Sequence, residues 1–137
     1  MSKPSSYDQI VARLRALCMP LPETHEEAAW VGTRWRIRKK TFAHVLQIRE
    51  GWPPAYAKAA HATGPLVVMT FRSPMVELNV HSFAQAPFFR PGWFADIAGM
   101  TLDSATDWDE VEALVTGSYA AMAPKRLGKM FDIARDT

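Results

Sequence analysis

Five cationic side chains, Arg34, Arg36, Arg38, Lys39 and Lys40, lie within seven consecutive positions. Alternate residues of a β-strand point to one face at steps of about 6 to 7 Å, so the three arginines would project together from an extended chain. A guanidinium group binds phosphate with two parallel hydrogen bonds, and such contacts add affinity without reading base sequence. The pattern indicates a surface for DNA or another polyanion. The alternative interpretation is a charged outer strand that keeps the sheet soluble and pairs with acidic neighbours.

A second group of candidate residues is aromatic and lies in two turn-rich segments. Residues 51 to 64 contain two prolines and two glycines, a composition that predicts a long loop. Residues 88 to 94 add a proline and a glycine to several aromatic rings. Trp52 and Tyr56 could stack on exposed bases beside the basic strand. Aromatic rings beside an arginine also anchor protein partners and line ligand pockets, which makes a second candidate surface of Trp52, Phe88, Phe89, Arg90 and Trp93.

Catalytic and cofactor-binding motifs are missing from the sequence. It contains no GxSxG turn, no GxGxxG fingerprint, no phosphate-binding GxxxxGKS or GxxxxGKT loop and no HExxH motif. The four histidines lie 17 to 20 residues apart, whereas a helical metal pair needs a spacing of three or four. Glu23, His25 and Glu26 have the composition of an acid–base site, but a solvated polar loop before a strand is the favoured interpretation. We therefore expect a binding protein without cofactor or metal rather than an enzyme.

Hydrophobic periodicity predicts the elements that position these residues. Apolar residues recur at three- and four-residue steps over residues 6 to 19, which predicts a helix that Pro20 ends. Alternation around Trp35 predicts a strand, and residues 41 to 48 a second strand that completes a hairpin. The continuous apolar run of residues 66 to 71 predicts a strand near the centre of a sheet.

The C-terminal half of the sequence predicts further elements. Pro74 suits the first turn of a helix. The inner side of this helix would carry Met75, Val76, Leu78, Asn79 and Phe83. A strand is predicted from about residue 93 to 97, and a long helix from near Asp107 to Pro124. Residues 125 to 135 predict a short amphipathic tail helix.

Length and composition favour a single domain over residues 1 to 137, with its core at about 6 to 123. The chain has 137 residues, of which 48% are hydrophobic, enough for one core. The single Cys18 excludes an internal disulfide, and its place in the apolar helical pattern predicts a core residue. No apolar run reaches the roughly 18 residues of a membrane span. We therefore expect a cytoplasmic monomer or weak homodimer. Net charge is only +2, but residues 34 to 50 carry six basic groups against one acidic group.

Several local strings resemble the MmcQ/YjbR family of small bacterial proteins. They are Leu21-Pro22-Glu23 before Trp30, the run from Trp35 to Ala43, Pro87-Phe88-Phe89 with Gly92-Trp93, and Trp108-Asp109-Glu110-Val111 through Ser118-Tyr119 to Ala123-Pro124-Lys125-Arg126-Leu127. The resemblance covers roughly residues 8 to 128. It implies an α+β fold with an antiparallel sheet, helices mainly on one face, and the order helix, three strands, helix, two strands, helix. This architecture is sometimes described as double-wing DNA-binding-like, but the family has no established reaction, so no catalytic residue is implied.

Two hypotheses about function follow from the sequence. The first is a nucleic-acid-binding protein that uses the basic hairpin of residues 34 to 40. With about four to five phosphates neutralised, its log affinity would fall against log salt with a slope near roughly −4. The second is a module that binds a protein or a small ligand through residues 51 to 64 and 88 to 94, with little dependence on salt.

Overall fold

The computed structural model describes residues 6 to 124. The predicted tail helix of residues 125 to 135 lies outside this range. The elements, in chain order, are α1 Ser6–Cys18, β1 Thr24–Ala28, β2 Thr33–Ile37, β3 Lys40–Ile48, α2 Pro54–Ala60, β4 Leu66–Arg72, α3 Met75–Leu78, α4 Val80–Phe83, β5 Phe88–Phe89, β6 Ile97–Leu102 and α5 Trp108–Met122.

Within residues 6 to 124, six strands form one antiparallel sheet in the order β1-β2-β3-β4-β6-β5. The first four strands follow chain order. Strand β6 then lies beside β4, and the two-residue β5 pairs with its outer edge. The structure confirms the predicted single α+β domain with an antiparallel sheet, and β5 adds a short strand to the five that the family resemblance implied.

One face of the sheet, here called the helix face, holds the main core beneath α1 and α5. Register places Val45 opposite Met69 and Met69 opposite Met100, so these side chains share that face. All three are buried, as are Leu14 of α1 and Tyr119 of α5 in the same cluster. The predicted amphipathic stripes of both long helices are therefore the surfaces that cover the sheet.

Cys18 belongs to this core, as the sequence predicted. The side chain is fully buried at the end of α1. Burial raises the pKa of its thiol to about 12, because a thiolate would lose its solvation there. The thiol therefore acts as a small hydrophobic group.

The opposite face, here called the open face, is only partly covered. Ala57 of α2 and Phe89 of β5 pack there on Leu46, Ile48 and Val68. Helix α2 is too short to reach across the whole sheet. Within residues 6 to 124, the part of the open face near the start of β3 and the end of β4 has no covering helix, and this is where a cleft forms.

Two segments predicted as loops form regular elements instead. Residues 54 to 60 of the predicted long loop form α2. Pro54 stands at its first turn, where the missing N–H is harmless, and the following alanines strongly favour helix. The polar segment at Glu23 to Glu27 contributes strand β1, because its pairing with β2 gives the backbone hydrogen bonds and the carboxylates cationic partners.

The prediction of a strand at residues 93 to 97 was wrong. The strand β6 begins at Ile97 and continues to Leu102, whereas Gly92 has a positive φ of 83° within the preceding turn. The aromatic residues suggested a strand, but the pairing partner of β4 is the small and β-branched run that follows them. At Gly99 an added Cβ would lie 2.1 Å from the Phe89 ring, so only glycine lets β5 pack there.

The predicted helix after Pro74 is split. Helix α3 ends at Leu78, and Asn79 has φ −126° before α4 begins. Of the residues assigned to its inner side, Val76 is fully buried, whereas Met75 is 47% and Leu78 75% exposed. The described part of the chain has no helix with the length and hydrophobicity needed to cross a membrane.

Ser118 links α5 to the sheet by two hydrogen bonds. The N–H of Arg72 donates to Ser118 Oγ at 2.8 Å, and the Ser118 hydroxyl donates to the carbonyl oxygen of Phe42 at 2.6 Å. The side chain is fully buried. It therefore joins the end of β4 to the start of β3 beneath the helix.

We predict that Ser118→Ala lowers the free energy of unfolding by about 2 to 3 kcal/mol, because two backbone groups lose their buried partner. Urea denaturation measures this change. The matched control is Gly117→Ala on the same helix, where an added Cβ meets nothing within 4 Å. That variant should be neutral or more stable by up to about 1 kcal/mol. Equal losses in both variants would contradict the assigned role of the hydroxyl.

Candidate functional site

The open face contains a cleft with a volume of about 600 Å³, here called the open-face cleft. This volume lies within the range of small-molecule sites, roughly 300 to 1,000 Å³. Strands β2, β3 and β4, the turn between β2 and β3, and helix α2 all contribute to its lining. In the described part of the chain, the charged residues that line it are all cationic: Arg34, Lys39, Lys40 and Arg72.

Two arginines of the basic strand bind one carboxylate on the neighbouring strand. Glu27 lies opposite Arg34 in the register of β1 and β2. Its Oε1 accepts from Arg34 Nε at 2.6 Å and from Arg36 Nη1 at 3.0 Å. The hydrogen bond from Arg36 and then that from Arg34 hold the pKa of Glu27 below its usual value. These guanidinium groups are therefore compensated from β1.

The other cations of the predicted patch lie at the connection between β2 and β3, where Arg38 and Lys39 form the turn and Lys40 is the first residue of β3. Arg38 adopts a left-handed conformation with φ 56°, so it leaves the strand face that the alternation had predicted for it. Its Nη2 lies 3.8 Å from Glu23 Oε2, and both side chains are at least half exposed, so this pair contributes little. Lys39 and Lys40 are exposed and have no ion pair within the described residues.

Aromatic rings form another part of the cleft lining. Trp30, Tyr56 and Trp93 all line it. The centroids of Tyr56 and Trp93 are 4.9 Å apart in an edge-on arrangement, and those of Trp30 and Trp52 are 5.5 Å apart. Trp30 is 82% and Trp93 43% exposed. The cleft thus combines cations with indole rings that remain partly in water.

The predicted aromatic surface does not form one site. Trp93 lines the open-face cleft, and Trp52 is half exposed against Trp30. Phe89 is buried on the open face, and Phe88 packs against the core of the helix face. Arg90 is half-buried, and its Nε has no hydrogen-bond partner within the described residues. Segment 88 to 94 therefore contributes one ring to the cleft and places the two phenylalanines in the cores.

A hydrogen-bond chain lies at the side of the cleft. His44 Nε2 is 2.6 Å from the carbonyl oxygen of Val31, and Tyr56 Oη is 3.3 Å from His44 Nδ1. Because a carbonyl only accepts, Nε2 carries the proton, and Nδ1 accepts from the Tyr56 hydroxyl. Burial, with a smaller effect of Arg34, lowers the pKa of His44. Burial raises the pKa of Tyr56, so both groups are neutral near pH 7.

The comparisons with known proteins identify the family. A family model described as YjbR matches residues 19 to 121. The chain belongs to the YjbR family. A structural-genomics crystal structure of a protein from Pseudomonas syringae is similar in fold, with a TM-score of 0.61 and 11% sequence identity. The similarity covers 81% of this YjbR chain and 97% of the other. A search of curated proteins found no match.

Several residues of the YjbR cleft are not among the candidates that the sequence predicts. The spacing of the histidines concerns His44 only as a metal ligand, and no pattern predicts a role for Thr70 or Arg72. Register places His44 opposite Thr70 and Arg34, so these three polar residues meet on the open face. Arg72 Nη1 lies 3.7 Å from Asp96 Oδ2. The available signal was the polar His44 between the apolar residues Ala43 and Val45 of β3.

The structure does not bring together Glu23, His25 and Glu26, the candidate acid–base residues of the sequence. Glu26 Oε1 accepts from Arg15 Nε at 2.8 Å and from Trp35 Nε1 at 2.9 Å on the helix face. His25 is the preceding strand residue, so it points to the opposite face, where it is exposed. Within the described residues, no group of three histidine, cysteine, aspartate or glutamate side chains is arranged to hold a metal.

The buried neutral His44 predicts a dependence of stability on pH. Because its pKa is lowered in the folded state, the unfolded chain binds more protons below the usual value of 6.5. The free energy of unfolding should be highest above about pH 6.5 and should fall as the pH decreases below it. Urea denaturation at pH 8 and pH 5.5 measures the loss. His44→Gln should reduce this loss, whereas His25→Gln, at an exposed position, should leave it unchanged.

Proposed function

We propose that this protein is a binding module for a small anionic ligand held in the open-face cleft. The observation that carries the proposal is the charge of the lining, which is cationic at each charged position in the described residues. Such a concave surface focuses a positive potential and attracts anions. This proposal corresponds to the small-ligand hypothesis that the sequence suggests, and it adds Lys39 and Lys40 to the residues of the site.

The cations most available to a ligand are Lys39 in the turn and Lys40 at the start of β3. Lys39 and Lys40 are exposed, and neither makes an ion pair within residues 6 to 124. Arg34 is already engaged by Glu27, and Arg72 lies near Asp96. An ammonium group on a flexible stem can turn toward an anion without breaking an existing contact. We therefore assign the anionic group of the ligand to these lysines.

His44 and Tyr56 support binding rather than catalysis. Both groups are neutral, and each uses hydrogen bonds to the other or to the backbone. Neither adds a negative charge that would repel an anion. Their hydrogen-bond chain fixes the side of the cleft, which reduces the entropy lost when a ligand binds.

The test uses inorganic pyrophosphate as a simple anionic probe in isothermal titration calorimetry. We expect saturable binding to one site. The double variant Lys39→Gln/Lys40→Gln should weaken binding by at least about tenfold, which corresponds to about 1.4 kcal/mol. The control is Lys58→Gln on α2, an exposed lysine outside the cleft lining. The proposal fails if pyrophosphate does not bind, or if the control weakens binding as much as the double variant.

A nucleic acid is the second candidate ligand, favoured by the exposed position of Lys39 and Lys40 at the tip of the hairpin. Glu27 compensates Arg34 and Arg36, so fewer cations are available than the sequence suggested. With about two phosphates neutralised, the slope of log affinity against log salt should be near roughly −2 rather than −4.

We predict that Glu27→Gln makes this salt slope steeper, toward roughly −4, because it releases two guanidinium groups for phosphate contacts. Fluorescence anisotropy with a labelled DNA duplex at several salt concentrations measures the slope. Glu77→Gln removes the same charge from an exposed helical position and serves as the control. A slope near zero in the unmodified protein and in Glu27→Gln would exclude nucleic acid as a ligand of this surface.

A further inference from the structure

The open-face cleft exposes aromatic surface that an inorganic anion would not use. Trp30 and Trp93 line it and are 82% and 43% exposed, whereas Trp35 in the helix-face core is fully buried. Each square ångström of apolar surface left in water costs roughly 25 cal/mol relative to burial. A ligand that contacts only the lysines would leave both indoles in water. The lining therefore favours a ligand with an apolar, flat part.

The contacts around these rings favour an aromatic group over an aliphatic one. Trp93 is held by its edge-on contact with Tyr56, and Trp30 by its contact with Trp52. Their orientations are set before a ligand binds. Stacking of a planar ring on such a side chain contributes about 1 to 3 kcal/mol. The volume of about 600 Å³ accommodates a ring together with an attached anionic group.

The cleft also contains polar groups between its indole rings and its cations. These groups can form hydrogen bonds with the edge of a bound aromatic ring. The Tyr56 hydroxyl donates to His44 Nδ1, so its oxygen keeps lone pairs that can accept a hydrogen bond. The Thr70 side chain also lines the cleft and is 9% exposed. Because His44 Nε2 donates to Val31, the direction of this chain is fixed. The side of the cleft therefore presents an acceptor to an N–H or O–H group.

We infer that the ligand is a planar aromatic ring that carries a hydrogen-bond donor and an attached anionic group, either a carboxylate or a phosphate. This inference rests on the proposed function and specifies the ligand of the same cleft. The ring stacks on Trp93, which contacts Tyr56, the donor on the ring binds Tyr56 Oη, and the anionic group binds Lys39 and Lys40.

The experiment separates the ring from the anion in two sets of probes. Calorimetry compares adenosine 5′-monophosphate with adenosine and ribose 5-phosphate, and 2-aminobenzoate with aniline and propionate. In at least one set, the probe that combines ring and anion should bind about tenfold or more tightly than either part alone. The set that succeeds identifies the anionic group as phosphate or carboxylate.

Matched variants locate the ring. Trp93→Leu should weaken binding of the combined probe by about tenfold, a larger factor than for pyrophosphate, which has no ring to stack on the indole. Trp108→Leu is the control, because Trp108 packs against the helix-face core, where Arg13 lies over its ring at 4.5 Å. Tyr56→Phe keeps the ring of residue 56 and removes its hydroxyl, so it should weaken the combined probe several-fold.

The outcomes distinguish this inference from the proposed function. If pyrophosphate binds but no combined probe binds better than its anionic part, the ring is excluded and the anion-binding cleft remains. If Trp108→Leu weakens the combined probe as much as Trp93→Leu, the ring does not occupy the cleft and the inference is overturned. If neither pyrophosphate nor any combined probe binds, the inference and the proposed function both fail.

Discussion

The unequal covering of the two faces of the sheet is the constraint on which the rest of the structure depends. Antiparallel pairing of β3 with β4 sends alternate residues to opposite faces, so Val45 and Met69 lie beneath the long helices while His44 and Thr70 lie opposite. Helices α1 and α5 cover the helix face, and the shorter α2 covers part of the open face. In the part of the chain that the structure describes, a concave surface remains beside α2, where no helix covers the sheet. The cleft is thus a consequence of strand register and helix length.

Pairing of β1 with β2 decides where positive charge is available. Glu27 lies opposite Arg34 and also reaches Arg36, so both arginines form ion pairs with the edge strand β1 and are less available to a ligand. These half-buried ion pairs reduce the positive potential that the two arginines would otherwise create. The positive charge that remains available is that of Lys39 in the turn and Lys40 at the start of β3. The available positive charge therefore lies at the rim of the cleft rather than along strand β2.

The errors of the sequence-based predictions have two physical causes. Composition favoured a loop at Pro54 and at Glu23 to Glu27. Pro54, however, lies in the first turn of α2, where a proline is tolerated. The carboxylate of Glu27 accepts a hydrogen bond from Arg34 across the strand pair β1 and β2. At residues 93 to 97, aromatic content favoured a strand, yet the strand begins at Ile97. At β1 and β6 a long-range pairing partner outweighed local propensity, whereas α2 follows from the local helix propensity of its alanines.

The sequence by itself determined the α+β class, the long helices, the central hairpin, the core role of Cys18 and the family, because these depend on local periodicity and on motif strings. It also identified the cations and Trp93 as separate features. Only the tertiary structure decided that Glu27 engages two arginines, that Phe89 is buried, and that His44, Tyr56 and Trp93 meet in one cleft. These relations join residues that are distant in sequence, and strand register and packing, rather than local pattern, set the distances between them.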